Sequence, residues 1–87
     1  MKINVMLVSK LEDTLKTLEQ FIQDDEISII GQSPGGAKAL DKIENLSPDI
    51  IVMTFGTGEI DVLSLTERIL LNRPKSFIIL LLEQMNV

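Results

Sequence analysis

The chain has 87 residues, which is enough for one small domain, and it contains no cysteine and no histidine. Disulfides, thiolate nucleophiles, imidazole bases and Cys- or His-ligated metals are therefore excluded. A net charge of -5, from 13 acidic and 8 basic residues, argues against binding to a nucleic-acid backbone. The longest apolar run, Phe77 to Leu82, is too short to span a bilayer, and the N-terminus does not resemble a secretion signal. We expect a cytoplasmic domain that contacts neither nucleic acid nor membrane.

The first part of the chain predicts a strand followed by an amphipathic helix. Ile3 to Val8 is a short apolar run that stops at Ser9. Ser9 and Glu12 have the spacing of a capping box, which predicts Ser9 as the N-cap of the helix. Asp24-Asp25 is the predicted end of this helix. Its apolar stripe consists of Leu11, Leu15, Leu18 and Ile22.

The next segment predicts a second strand and a second helix. The strand covers Ile27 to Ile30 and is closed by Gly31. Ser33-Pro34 has the pattern of an N-cap with proline at the first helical position. Ser47-Pro48 ends the helix, because a residue before proline is disfavoured in the helical region. The helical stripe contains Ala37, Leu40, Leu46 and either Ile43 or Ala39.

The remainder predicts a third strand, a third helix and a fourth strand. Ile50 to Met53 has no polar alternation, which indicates burial on both faces, and residues 54–58 are the predicted loop. A helix is predicted from Glu59 to Leu71 and a strand from Phe77 to Leu82. The helix face contains Ile60, Val62, Leu63, Leu65, Ile69 and Leu70. Strands alternating with helices of this length predict an α/β fold with one parallel sheet.

Two stretches carry a resemblance to a known family. Glu26 to Gly31, followed by Gly36 to Leu40, resembles the passage from the second strand to the second helix of response-regulator receiver domains, and Pro48 to Met53 resembles their third strand. The resemblance implies a flavodoxin-like (CheY-like) parallel sheet of strand order 2-1-3-4. It further implies that residues 1–87 form one incomplete receiver-like domain, truncated after the fourth strand and lacking the last helix-strand-helix portion.

The same resemblance marks four positions at the ends of strands. Receivers hold Mg²⁺ with an acidic pair after the first strand, where this chain has Ser9 and Lys10. They accept the phosphoryl group on an aspartate after the third strand and sense it with a Ser or Thr after the fourth, where this chain has Thr54 and Leu81. Magnesium needs oxygen-rich ligation and phosphoryl transfer needs charge neutralisation. The replacements therefore imply a degenerate site with no catalytic residue, metal or cofactor.

Each position also has a structural interpretation. The sequence favours Ser9 as a helix cap and Thr54 as a strand-end residue whose hydroxyl bonds a loop amide. Lys10 is either a solvated charge or a group that reaches toward Thr54. Phosphorylation of Thr54 by a separate kinase has no supporting motif.

The resemblance implies a pseudo-receiver that is not an enzyme. Such a domain would be a protein-interaction or localisation module in bacterial signalling or pilus assembly, as in the N-terminal domains of CpaE/TadZ-type proteins, where a MinD/ParA-like ATPase follows as the output domain. The alternative is a two-component receiver in a phosphorelay, attached to a transcription factor. A third reading, a small flavin- or nucleotide-binding enzyme, has only incomplete glycine motifs at Gly31 to Gly36 and Gly56 to Gly58.

The fourth strand suggests where a protein partner would bind. A continuously apolar last strand would form an open sheet edge, and such edges pair or aggregate. We therefore expect protein partners, including self-association through this edge, beside an output domain in a longer chain.

Overall fold

The strands form a single parallel sheet in the computed structural model, which describes residues 2–56, 61–72 and 75–83. The elements in chain order are β1 (Ile3–Val8), α1 (Glu12–Phe21), β2 (Ile27–Ser33), α2 (Gly36–Leu46), β3 (Ile50–Gly56), α3 (Asp61–Asn72) and β4 (Phe77–Glu83). The sheet order is β2-β1-β3-β4. The predicted fold class, a flavodoxin-like parallel α/β sheet of order 2-1-3-4, is confirmed.

The core lies on both faces of the two central strands, β1 and β3. On one face the strands pack against α2 and α3, with a buried cluster of Met6, Val8, Ile51, Met53, Ala39, Ile43 and Ile69. On the other face they pack against α1, with a buried cluster of Val5, Leu7, Val52 and Leu15. Since successive side chains of a strand point to opposite faces, this pattern explains why β3 reads as continuously apolar.

Two strands extend three residues beyond their predicted ends. β2 continues to Ser33 and β3 to Gly56, so the predicted ends at Ile30 and Met53 are wrong. Val8 of β1 pairs in register with both Ser33 and Met53, and β3 then continues beside β4 as far as Gly56. Backbone pairing with a neighbouring strand, rather than the apolar run, decides where these strands end. Thr57 and Gly58 of the predicted loop lie outside the described residues.

The predicted caps of the first two helices are also wrong. The N-cap of α1 is Leu11 and that of α2 is Gly35, and neither makes a side-chain cap hydrogen bond. The serines form short turns instead: Ser9 Oγ accepts a hydrogen bond from the Leu11 N–H at 3.2 Å, and Ser33 Oγ accepts one from the Gly35 N–H at 3.3 Å. A hydroxyl bonded two residues ahead favours a turn before the helix rather than its first turn. Gly35 has φ +114°, which favours glycine.

The helix ends agree with the prediction more closely in α2 than in α1. α2 ends at Leu46, and Ser47 adopts the left-handed region with φ 50° and ψ 58°, rather than the extended region favoured before proline. α1 ends at Phe21, before the predicted Asp24-Asp25. Asp24 Oδ1 instead accepts a hydrogen bond from the Glu26 N–H at 2.8 Å and shapes the turn into β2.

The helix stripes are narrower than predicted. Leu11 before α1, and Leu63 and Leu70 on α3, are exposed, whereas Leu15 and Ile69 are buried. Glu59 and Ile60 of the third predicted helix lie outside the described residues. None of the helices in the described part of the chain has the length and apolar character needed to cross a membrane.

Candidate functional site

Two hydroxyl side chains meet where the central strands end. Ser9 follows β1, and Thr54 lies near the end of β3. Thr54 Oγ1 donates a hydrogen bond to Ser9 Oγ at 2.7 Å, and both residues are buried, with exposed fractions of 7% and 2%. Because β1 and β3 are parallel neighbours in the sheet order, their carboxyl ends lie side by side. We call Ser9 and Thr54 the hydroxyl pair.

The backbone around the hydroxyl pair is also hydrogen-bonded. Ser9 Oγ accepts from the Leu11 N–H, and the Ser9 N–H donates to the Ser33 carbonyl at 3.0 Å. Ser9 therefore joins β1 to β2 through its backbone and to β3 through its side chain. A buried polar side chain bonded on both sides stabilises the geometry of the strand ends.

The hydroxyl pair provides neutral oxygens. Mg²⁺ in proteins is bound through carboxylates that offset its charge, and a buried pair of neutral hydroxyls does not offset it. The described residues contain no group of three or more Asp, Glu, His or Cys side chains that could hold a metal. The contact between these two residues is a hydrogen bond that joins the ends of two neighbouring strands.

The other two positions marked by the resemblance are Lys10 and Leu81. Both are more exposed than the hydroxyl pair. Lys10, directly after Ser9, has an exposed side chain. Leu81 of β4 pairs in register with Thr54, so the two residues lie on the same face of the sheet. Leu81 is partly exposed, and its apolar side chain has no hydrogen-bonding group. The fold therefore brings all four positions to the carboxyl ends of the strands, where Thr54 and Ser9 are hydrogen-bonded to each other.

Ser33 is a third buried hydroxyl at the carboxyl ends of the strands, and its sequence context predicts only a helix cap. It ends β2, is buried, and pairs in register with Val8. Ser33 ends β2, Thr54 lies two residues before the end of β3, and Ser9 directly follows β1. A hydroxyl residue near the carboxyl end of each of three neighbouring parallel strands is the signal that could have identified Ser33 as part of the same group.

Comparison with solved structures identifies the fold. The isolated REC domain of RcsB from Salmonella enterica serovar Typhimurium, solved in the presence of the phosphomimetic BeF3-, superposes with a TM-score of 0.76 at 19% sequence identity. The superposition covers 99% of this chain and 65% of that domain. This chain folds as a receiver domain of the response-regulator type. At this identity the likeness concerns the fold alone. No family model matches the chain.

The receiver-fold chain also has curated relatives by sequence. Two carry the name protein-glutamate methylesterase/protein-glutamine glutaminase 2. The protein from Carboxydothermus hydrogenoformans is 35% identical over 80 residues, and that from Methanospirillum hungatei JF-1 is 33% identical over 78 residues. These alignments cover 91% and 88% of this chain. The chain spans less than a quarter of the length of these relatives, 23% and 22% respectively.

Proposed function

We propose that this chain is a pseudo-receiver: a receiver-fold module that binds protein partners and regulates an attached output domain without taking up a phosphoryl group. The observation that carries the proposal is the buried hydrogen bond between Thr54 and Ser9. It occupies the position where the family resemblance places the phosphoacceptor and its metal site. The module itself is not an enzyme and works in the cytoplasm.

The hydroxyl pair is poorly suited to accept a phosphoryl group. A hydroxyl is a weak nucleophile unless a neighbouring base takes its proton, and the chain has no histidine to serve as that base. The Thr54 hydroxyl donates a hydrogen bond to Ser9 Oγ, and its burial restricts access of a phosphodonor. Transfer from a phosphodonor also needs cationic neutralisation of the phosphoryl oxygens, for which Mg²⁺ would require carboxylates. These features support the proposal that the receiver fold of this chain serves to bind protein partners.

The relatives bear on the nature of the output domain. The resemblance to CpaE/TadZ-type proteins implied a localisation role in pilus assembly with a MinD/ParA-like ATPase. The curated relatives are instead named as methylesterases and glutaminases, and this chain matches less than a quarter of their length. We therefore favour a methylesterase-type output domain over the ATPase.

The first test is exposure of the chain to acetyl phosphate and Mg²⁺, followed by intact-mass spectrometry. We expect no mass increase of one phosphoryl group on the natural chain. The matched control is the triple variant Ser9→Asp, Lys10→Asp, Thr54→Asp, which restores the receiver-type acids and is expected to gain an acid-stable, base-labile phosphoryl group. Phosphorylation of the natural chain would instead support the phosphorelay alternative and overturn the proposal.

A second test uses the phosphomimetic directly. Beryllofluoride and Mg²⁺ are titrated into the isotope-labelled chain while backbone amide signals are recorded. We expect the signals of Ser9, Thr54 and Leu81 to stay in place, because the hydroxyl pair offers no carboxylate for beryllium to bond. Saturable shifts centred on these residues would contradict the proposal.

A third test addresses regulation of an output domain. This chain replaces the matched 80 residues of the Carboxydothermus hydrogenoformans relative, and hydrolysis of methylated glutamate is measured against the catalytic portion alone. We expect the chimaera to differ in rate from the catalytic portion and to respond equally with and without acetyl phosphate. Equal rates for the chimaera and the catalytic portion would contradict a regulatory role.

A further inference from the structure

A groove of about 540 Å³ lies between the end of α1 and the outer strand β2. Part of its lining is apolar and half-buried, and consists of Ile22, Ile27 and Ile29. Another part consists of three exposed carboxylate side chains, those of Glu19, Asp24 and Asp25. The isoleucines also pack against the buried cluster under α1, so the protein core holds them in place. A molecule in this groove would meet apolar side chains and negative charge together.

The negative charge of the chain is concentrated around this groove. Residues 17–37 contain four acidic residues and no lysine or arginine, although the whole chain has 8 basic residues. Lys16 and Lys38 flank this segment, which holds -4 of the net charge of -5, so the rest of the chain carries -1. A surface of one sign attracts partners of the opposite charge. It repels the phosphates of nucleic acids and of anionic membranes.

The groove lies at the edge of the sheet where β2 is the outermost strand. In the flavodoxin-like order 2-1-3-4-5, a further strand lies beyond β4, so β2 stays outermost. The Ile3 N–H donates to the Glu26 carbonyl at 2.7 Å, which shows that the peptide groups of Glu26 point toward β1. Because this direction alternates along a strand, the N–H and C=O groups of Ile27 and Ile29 point away from β1.

Two contacts occupy the outer side of β2 on either side of Ile29. The Ile27 N–H donates to the Asp24 carbonyl at 3.1 Å, and Lys42 Nζ donates to the Gln32 carbonyl at 2.6 Å. Between these contacts, Ile29 directs one N–H and one C=O away from the sheet and lines the groove. An extended peptide can pair with β2 at this residue, whereas the bulge that follows interrupts a longer ladder. Side-chain contacts in the groove must therefore supply most of the affinity.

We propose that the groove binds an extended basic segment of a protein partner. An apolar side chain of that segment contacts the three isoleucines, and arginine or lysine side chains on either side of it pair with the carboxylates. Side chains two residues apart in an extended peptide point the same way, so the partner has the pattern basic–x–apolar–x–basic. Arginine suits the rim best, because its guanidinium binds a carboxylate through two hydrogen bonds.

This inference rests on the protein-binding part of the proposed function and adds the chemistry of the partner. The probe is the acetylated and amidated peptide Gly-Arg-Thr-Leu-Thr-Arg-Gly, titrated into the isotope-labelled chain. We expect saturable shifts centred on the Ile22, Ile27 and Ile29 amides, which weaken as salt is added. The matched peptide with both arginines replaced by glutamate is expected to cause no shifts. Replacing its leucine by glycine should weaken binding about fivefold or more.

The second experiment removes two charges from the rim with the double variant Glu19→Gln, Asp25→Asn. We expect the dissociation constant for the arginine peptide to rise about fivefold, as for the loss of two exposed ion pairs. The matched control is Asp41→Asn, Glu67→Gln, which removes the same net charge at exposed positions on α2 and α3. It is expected to change the constant less than about twofold. Circular dichroism of both variants verifies folding.

Four outcomes would overturn the inference. They are no shifts with the arginine peptide, shifts centred outside the groove, equal binding of the glutamate peptide, and equal weakening by both double variants. Shifts of the same residues with chain concentration alone would assign the groove to a second copy and would also overturn it. The acetyl phosphate test does not involve the groove, so a peptide that fails to bind a chain that also fails to take up phosphate would reject this inference alone.

Discussion

The two outer strands of the described sheet, β2 and β4, are both parallel strands, but they expose different side chains. Along β2 the side chains from Ile27 to Gln32 are half-buried. Lys42 Nζ donates to the Gln32 carbonyl at 2.6 Å, and Gln32 Nε2 donates to Glu19 at 3.0 Å. The pairing of β1 with β2 is also irregular between Val5 and Met6, which interrupts the regular pattern of the edge strand. β4 is regular in register and apolar from Phe77 to Leu82.

The difference shows that strand order alone does not decide whether an edge is protected. Bulges, lysines and polar side chains keep an edge strand from pairing. β2 has a bulge and polar side chains, and Lys42 of the neighbouring α2 donates to its Gln32 carbonyl. β4 presents a regular apolar segment without such devices from Phe77 to Leu82.

The largest expected effect distinguishes the centre of the sheet from the β4 edge. Ile51→Ala removes a fully buried side chain of β3 and is expected to cost about 2–5 kcal/mol of unfolding free energy. Ile79→Ala makes the same deletion on exposed β4 and is expected to cost less than about 1 kcal/mol in the monomer. Urea unfolding at concentrations where the chain is monomeric compares them.

The outcome that would break this contrast is an equal loss at both positions, since it would mean that β4 is already covered within the monomer. If Ile51→Ala does not fold, the pair Ile51→Val and Ile79→Val gives the same comparison. Ile51→Val is then expected to cost about 0.5–1.5 kcal/mol.

A smaller effect is expected where β4 is anchored to the rest of the sheet. Ser76 is buried, and its Oγ donates to the Pro48 carbonyl at 2.9 Å, just before β4 begins. Ser76→Ala leaves that buried carbonyl without this donor and is expected to cost about 1–2 kcal/mol. Thr17→Ala is the matched control, because Thr17 Oγ1 makes the same kind of bond to the Asp13 carbonyl in an exposed site. Chemical denaturation of both variants should show a lower free energy of unfolding for Ser76→Ala alone. Similar decreases for both would mean that the buried hydrogen bond of Ser76 does not stabilise the start of β4.

The smallest expected effect concerns the contact between α2 and the outer strand β2. A Cβ added at Gly31 would lie 2.6 Å from Leu46 Cδ1, the end of an exposed and movable side chain. Gly31→Ala is therefore expected to cost less than about 1 kcal/mol, and Leu46→Ala in the same chain should remove part of that cost. A double-mutant cycle measures the coupling. Additive free energies would show that the end of α2 does not restrict β2.

Much of the fold follows from local patterns. Apolar runs bounded by glycine, proline and acidic residues predict every strand and helix in the right order, because burial of a parallel sheet leaves a strong signal in the sequence. The errors lie at boundaries. The hydroxyls of Ser9 and Ser33 satisfy the local rules for a helix cap equally well, and only the path of the chain places each in a turn before its helix.

The candidate site, like the fold, follows partly from the sequence and partly from the tertiary structure. The sequence marks Ser9, Lys10, Thr54 and Leu81 as positions where receiver-type acids and a hydroxyl are replaced. It could not show that Thr54 bonds Ser9 rather than a loop amide, since residues 45 positions apart in the chain meet only when β1 and β3 become neighbours.

By itself, the sequence determined the alternation of strands and helices, the lack of thiols and imidazoles, and the apolar character of Phe77 to Leu82, because these depend on residue type and local spacing. The tertiary structure decided the ends of β2 and β3, the bond between Ser9 and Thr54, and the exposure of β4. Each of these depends on which strands lie side by side, a long-range arrangement set by packing the whole sheet against its helices.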